Sequence, residues 1–198
     1  MGRPRQHGTE TRDQLLDAAT RLLATEGFGA LSVRRLSGEV GVSSRAVYSV
    51  FGGMPGVLGA LYRRAADVMN EHHEAVPRQE DPLAEIVELA FAYRAGALAQ
   101  RDLYGLYLER AVPTFCPSDE DVAYAVRAHL RARQAFERAC ADQPGVDPAR
   151  ATIQMWALLH GLCSLEIGGM LAGMDGDVEA VWQNAVNSML RGLFPVAR

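Results

Sequence analysis

The chain reads as an all-α protein. Three observations predict that class. Apolar residues recur at helical spacing in nearly every segment, no segment alternates apolar and polar residues over several positions as a strand would, and the turn residues Gly, Pro and Asp fall between the helical runs. With 198 residues, 48% of them hydrophobic and 22% charged, the chain can bury a core large enough to offset the entropy of ordering. The most apolar stretch, Met155 to Met174, contains His160 and Glu166, so no run suits a bilayer. The start Met1-Gly2-Arg3-Pro4-Arg5 has no apolar segment behind it, and a cytoplasmic location is expected.

Element by element, Leu15, Leu16, Ala19, Leu22 and Leu23 form one face of an amphipathic helix. Thr11 and Gln14 are placed as a capping box at its start, and Gly27 as its stop. A short helix is predicted from Ser32 to about Val40 and another from Ser43 to about Phe51. A long one follows Gly52-Gly53-Met54-Pro55 and runs to about Glu74. Pro77 to Pro82 is a polar break. Beyond it the pattern gives helices over Asp81–Gln100, Asp102–Ala111, Ser118–Ala141, from Pro148 to about Leu171, and Asp177–Leu193. The total is about nine. The linear organisation expected is a flexible basic arm (1–9), a helix–turn–helix domain (10–55), a connecting helix (56–76) and a ligand-binding and dimerisation domain (77–198).

Charge is distributed unevenly. Residues 1–65 hold nine Arg against five acids, a net of +4, and residues 66–198 hold eleven Arg against nineteen acids, a net of −8. A basic front on an acidic body directs only the front toward a polyanion. Cys116, Cys140 and Cys163 are too scattered for a disulfide framework or a CxxC metal site, so reduced thiols are expected.

Residues 33–52 carry the most specific pattern: short helix, Gly41-Val42-Ser43, short helix. Gly41 supplies a left-handed turn, and Leu36, Val40, Val42, Val47 and Val50 fall on inward faces. Ser44, Arg45 and Tyr48 share one outward arc, suited to the major groove, and Ser32 can cap the first short helix. Arg34, Arg35 and Ala46 complete the candidate surface. The tail Gly2-Arg3-Pro4-Arg5 resembles the core of an AT-hook, in which Pro holds the chain extended and Arg3 and Arg5 can enter an A·T-rich minor groove.

Leu16-Asp17-Ala18-Ala19, Gly27-Phe28, Ser32 to Leu36, Val40-Gly41-Val42-Ser43, Val47-Tyr48 and Phe51 together resemble the N-terminal domain of the TetR family of bacterial transcriptional regulators. The resemblance implies phosphate contacts from Ser32, Ser43 and Tyr48, with Ser44 and Arg45 facing the groove. It further implies a homodimer on a palindromic operator, and a small-molecule effector that releases a repressor. Two departures stand out. Met54 occupies the position where the family usually has Lys, so one phosphate contact is expected to be missing. Arg45 replaces a residue that is often small, so no base preference carries over.

In the second half, Trp156, His160 and Gly161 resemble the Trp–His–Gly signature of one C-terminal subclass. Phe91, Tyr93, Tyr104, Tyr107, Phe115, Met155, Trp156 and His160 are candidates for an effector pocket, since aromatics with polar tips suit amphipathic ligands. Val178, Trp182, Ala185, Val186, Met189 and Leu193 form an apolar face expected at the dimer interface. Glu71-His72-His73-Glu74 reads as the solvated end of the long helix. No catalytic constellation, metal site or cofactor is expected. Two rival readings stay open: a helical carrier or enzyme that kept the fold without DNA binding, and an activator in place of a repressor.

Overall fold

The computed structural model describes residues 4–108, 112, 115–141, 143, 145–174 and 177–195. Eleven α-helices account for nearly all of them, and no strand occurs among the described residues. They are α1 (Pro4–Glu26), α2 (Val33–Val40), α3 (Ser44–Phe51), α4 (Met54–Glu74), α5 (Pro82–Ala99), α6 (Arg101–Leu108), α7 (Asp119–Ala125), α8 (Arg127–Ala139), α9 (Pro148–Ile167), α10 (Met170–Met174) and α11 (Val178–Leu193). No helix among the described residues is long and apolar enough to cross a membrane.

Local chemistry sets most of the boundaries. Ser32 accepts a hydrogen bond from the Arg35 backbone N–H at 3.2 Å and so caps α2. Asp147 accepts from the Ala149 and Arg150 N–H groups, with Pro148 as the first residue of α9. Asp177 caps α11 through the Ala180 N–H at 2.9 Å.

Three boundaries differ from expectation. Helix α1 begins at Pro4, upstream of the Thr11–Gln14 box, because Pro suits a first turn whose N–H groups have no partner anyway. Pro4 and Arg5 are therefore helical in backbone instead of extended. The expected 118–141 helix breaks at Val126. There the Tyr107 hydroxyl donates to the Ala125 carbonyl, and the Asn70 amide oxygen accepts the Ala128 N–H, so side chains take over ladder groups. Helix α9 stops at Ile167, because Gly169, at φ 74°, turns the chain before α10.

The packing groups the chain into two compact units, Met1–Asp67 with Gln100–Ala125, and Val68–Ala99 with Val126–Arg198. This runs differently from the linear division drawn at residue 77. The first unit centres on Leu15, Leu22, Leu36, Val47, Leu61 and Tyr104, with α6 packed back on α1. The second stacks α5, α8 and α9, and α11 closes over α5 and α9.

Two buried ion-pair networks tie the second unit. Glu85 on α5, only 1% exposed, accepts from Arg131 at 3.1 Å, Arg138 at 2.6 Å and the Gln79 N–H at 3.0 Å. Burial alone would raise its pKa, but these hydrogen bonds outweigh it and hold the carboxyl below its ordinary value. Arg94 on α5 pairs with Glu166 on α9 at 2.8 Å and lies over the Trp182 ring of α11. The Trp182 indole N–H also donates to Glu166, at 2.7 Å.

Candidate nucleic-acid interface and effector cavity

The first unit presents a helix–turn–helix. Gly41, at φ 72°, makes the left-handed turn between α2 and α3 that a Cβ would strain. Leu36 and Val47, both fully buried, lock the two helices face to face. Ser37, also buried, lies 3.3 Å from the Ser44 hydroxyl and fixes the start of α3. Ser44, Arg45 and Tyr48 are exposed on α3, with the Ser44 hydroxyl turned to Ser37.

The candidate contact residues divide by what they already hold. Ser32, Arg34, Arg35, Ser43, Ser44, Arg45 and Tyr48 are all exposed, whereas Ala46 is half-buried. Arg35 is committed to Glu26 at 2.8 Å and Glu39 at 3.1 Å. Arg34 and Arg45 form no ion pair among the described residues. The hydroxyl of Ser43 precedes α3 without capping it, and so stays available to a ligand oxygen. Tyr48, 58% exposed, lays its ring against Gly53, where a Cβ would come within 3.3 Å. Arg3 lies outside the described residues, as does the side chain of Arg5.

Sequence reasoning missed how α3 is held. The Arg12 guanidinium sits 5.6 Å above the Phe51 ring and pins the end of α3 to α1. Met54 is half-buried in the first turn of α4 and lines an open cleft together with Phe51 and Phe115.

The second unit holds a cavity between α4, α5, α8 and α9. Tyr93, Met155 and Trp156 line it as expected, joined by Ile86, Leu89, Phe136, Thr152 and Leu159. Its interior measures about 30 Å³, room for one or two waters. Five of the expected pocket residues, Phe91, Tyr104, Tyr107, Phe115 and His160, lie elsewhere. Tyr104 and Tyr107 are buried in the first unit, where Tyr62 packs on Tyr107 at 5.2 Å and on Phe115 at 6.1 Å. They went there because α6 folds back onto α1. Phe91 packs on Trp182 at 6.3 Å. His160 sits 6.4 Å from Trp156 but does not line the cavity.

Two histidines that the sequence did not assign to the pocket do line it, His73 and His129. His73 is only 4% exposed, a correction to the solvated reading of its segment. Its neighbour His72 points elsewhere, as adjacent helical positions must. Burial lowers the His73 pKa, the Met69 carbonyl bond opposes this, and the charges of His72 and Arg131 lower it further. His129 is pushed down to about 4, by burial first and by His73 second.

The expected dimer face needs a correction as well. Trp182 and Val186 are 0% exposed within the subunit, Trp182 being drawn inward by Glu166 and Arg94. Val178, Ala185, Met189 and Leu193 remain half-buried. Among the described residues no group of three or more His, Cys, Asp or Glu could hold a metal, and Cys116, Cys140 and Cys163 form no disulfide.

Residues 15–61 match the model for bacterial regulatory proteins of the tetR family, and residues 86–189, more than half of the chain, match the tetracyclin repressor-like C-terminal domain. The chain belongs to the TetR family. A curated relative of this TetR-family chain is the HTH-type transcriptional regulator HbdR of Aromatoleum sp. (strain CIB), 30% identical over 97 residues. That match spans 47% of this chain and 41% of HbdR. Among solved structures, a protein of unknown function from Rhodococcus sp. RHA1 superposes with a TM-score of 0.76 at 28% identity, covering 97% of this chain and 99% of its own. The TetR family transcriptional regulator PfmR from Thermus thermophilus superposes with a TM-score of 0.67 at 19% identity, over 94% and 97% of the two chains, which speaks for the fold alone.

Proposed function

We propose that this TetR-family chain is a sequence-specific DNA-binding transcriptional regulator, working as a homodimer on a palindromic operator and acting as a repressor that a small-molecule effector releases. The observation that carries the reading is the exposed side of α3, where the Arg45 guanidinium and the Ser43 hydroxyl are uncommitted on a helix whose other side is locked by Leu36 and Val47. Arg34 and the capped start of α2 add phosphate-binding groups beside it.

The dimer reading draws on Val178, Ala185, Met189 and Leu193, half-exposed along α11. Gly161 on α9 supports it too, since a Cβ there would meet nothing within 4 Å and a second copy has room to approach. With Trp156 and His160, that glycine also motivates placement in the Trp–His–Gly subclass. The reading puts the protein in the cytoplasm, without catalytic activity of its own.

The test is selection of duplexes from a random pool by the full-length protein, followed by binding at several salt concentrations. With roughly four phosphate contacts per subunit, log affinity falls against log salt with a slope of about −7. Arg45→Ala is expected to cost about 1–3 kcal/mol per base contact and to relax one position in each half-site. A flat salt response, or equal binding to every sequence, overturns the reading and favours a carrier that kept only the fold. An equal loss on all sequences for Arg45→Ala reduces Arg45 to a phosphate contact.

A further inference from the structure

The cavity of the second unit has one polar feature that its packing does not explain. Both ring nitrogens of His129 are buried, and neither has a hydrogen-bond partner among the described residues. The ring is held sideways by Trp156, centroid to centroid 4.8 Å at 84°, which supplies packing but leaves the nitrogens unmatched. A buried imidazole left this way destabilises the fold, so it is retained for something that enters.

We propose that this cavity takes a compact, uncharged molecule, apolar over most of its surface and ending in a single hydroxyl that hydrogen-bonds to His129. The proposal deepens the effector reading of the second unit and rests on it.

The surroundings select against charge of either sign. No carboxylate lines the cavity, so a cation finds no partner. An anion fares no better. The nearby guanidiniums of Arg131 and Arg138 are already held by Glu85, Arg131 also donates to the Val76 carbonyl, and His73 spends its Nδ1 on the Met69 carbonyl at 2.8 Å. Burial keeps His129 itself neutral at physiological pH. Tyr93 and Thr152 are the other polar side chains of the wall, and the Thr152 hydroxyl donates to the Pro148 carbonyl. A neutral imidazole offers one donor and one acceptor, and a hydroxyl satisfies either without transferring charge into the apolar site. The present space is too small for a ring, so the molecule enters by displacing Trp156, the one wall side chain that is substantially exposed.

Three one-ring probes of matched size test this on the full-length protein: phenol, toluene and benzoate, titrated at pH 7.5 by calorimetry and by tryptophan fluorescence. Phenol is expected to bind at least about fivefold more tightly than toluene, and benzoate more weakly than either. His129→Phe is expected to erase the preference for phenol over toluene while raising the melting temperature of the ligand-free protein, because it removes the unmatched nitrogens. His129→Gln, which keeps a donor and an acceptor, is expected to preserve the preference. Equal binding of phenol and toluene, tighter binding of benzoate, or no binding by any probe overturns the proposal. Operator binding of the ligand-free protein is scored separately, so a failed DNA-binding reading leaves the probe order as the judge of the cavity.

Discussion

Replacing Gly56 by Ala is expected to unfold or re-aim the helix–turn–helix. A Cβ at Gly56 would lie 1.7 Å from the Phe51 carbonyl oxygen and 2.8 Å from its carbon, both backbone atoms that no rotamer change can move aside. The first turn of α4 must retreat from the end of α3, or α3 must shift, and either motion disturbs the packing of Val47 and Val57, both fully buried. A clash of this kind costs on the order of 3 kcal/mol or more. Operator affinity is expected to fall by more than about 100-fold, with a lowered melting temperature. Gly59→Ala, one turn further along α4, is the control. Its Cβ would meet the Asp121 carboxylate at an ordinary 3.9 Å, so helix propensity should leave that variant unchanged or about 1 kcal/mol more stable. Equal melting temperatures for the two variants would refute the close approach at Gly56.

The second large effect is loss of stability in mild acid. The unfolded chain binds a proton on His129 near its ordinary 6.5, whereas the folded chain resists it down to about 4. Protons are thus taken up on unfolding throughout that window. The stability from the neutral ring is complete above about pH 6.5 and is lost as pH falls toward 4. The gap corresponds to roughly 3 kcal/mol, or a melting temperature lower by about 6–12 °C. His73, also lowered by burial, adds to the same slope. Glu85 and Asp121, both held below their ordinary values against their burial, act only at lower pH, as acid protonates them in turn. Melting curves from pH 8 to 4 for the parent and His129→Phe check this. A slope that persists undiminished in the variant places the titrating group elsewhere.

What could be read in the chain was what is local. The cap at Ser32, the turn at Gly41 and the apolar spacing of Leu36 and Val47 act within a few residues of one another, and the helix–turn–helix follows from them. The long helix was placed directly after Gly52-Gly53-Met54-Pro55, though the approach of the Phe51 carbonyl to Gly56 is a matter of three dimensions. The cavity was half legible. Tyr93, Met155 and Trp156 sit in apolar runs, but His129 lies in the Arg-rich α8, whose composition reads as a solvated helix. Only the packing of α5 and α9 on α8 turns that histidine inward. Glu85 shows the same limit, because its partners Arg131 and Arg138 stand 46 and 53 positions away and no short-range pattern joins them. Tyr104 and Tyr107 were misplaced by assuming that neighbours in sequence share a unit.

The sorting of arginines in the first unit also bears on kinetics. Arg35, Arg63 and Arg64 spend their charge on Glu26, Asp121 and Asp17, whereas Arg34 and Arg45 keep theirs. The helix–turn–helix thus keeps two exposed guanidiniums uncommitted beside the start of α2 and the outward side of α3. If the proposed operator contact runs through this pair, rising ionic strength is expected to slow association far more than it hastens escape.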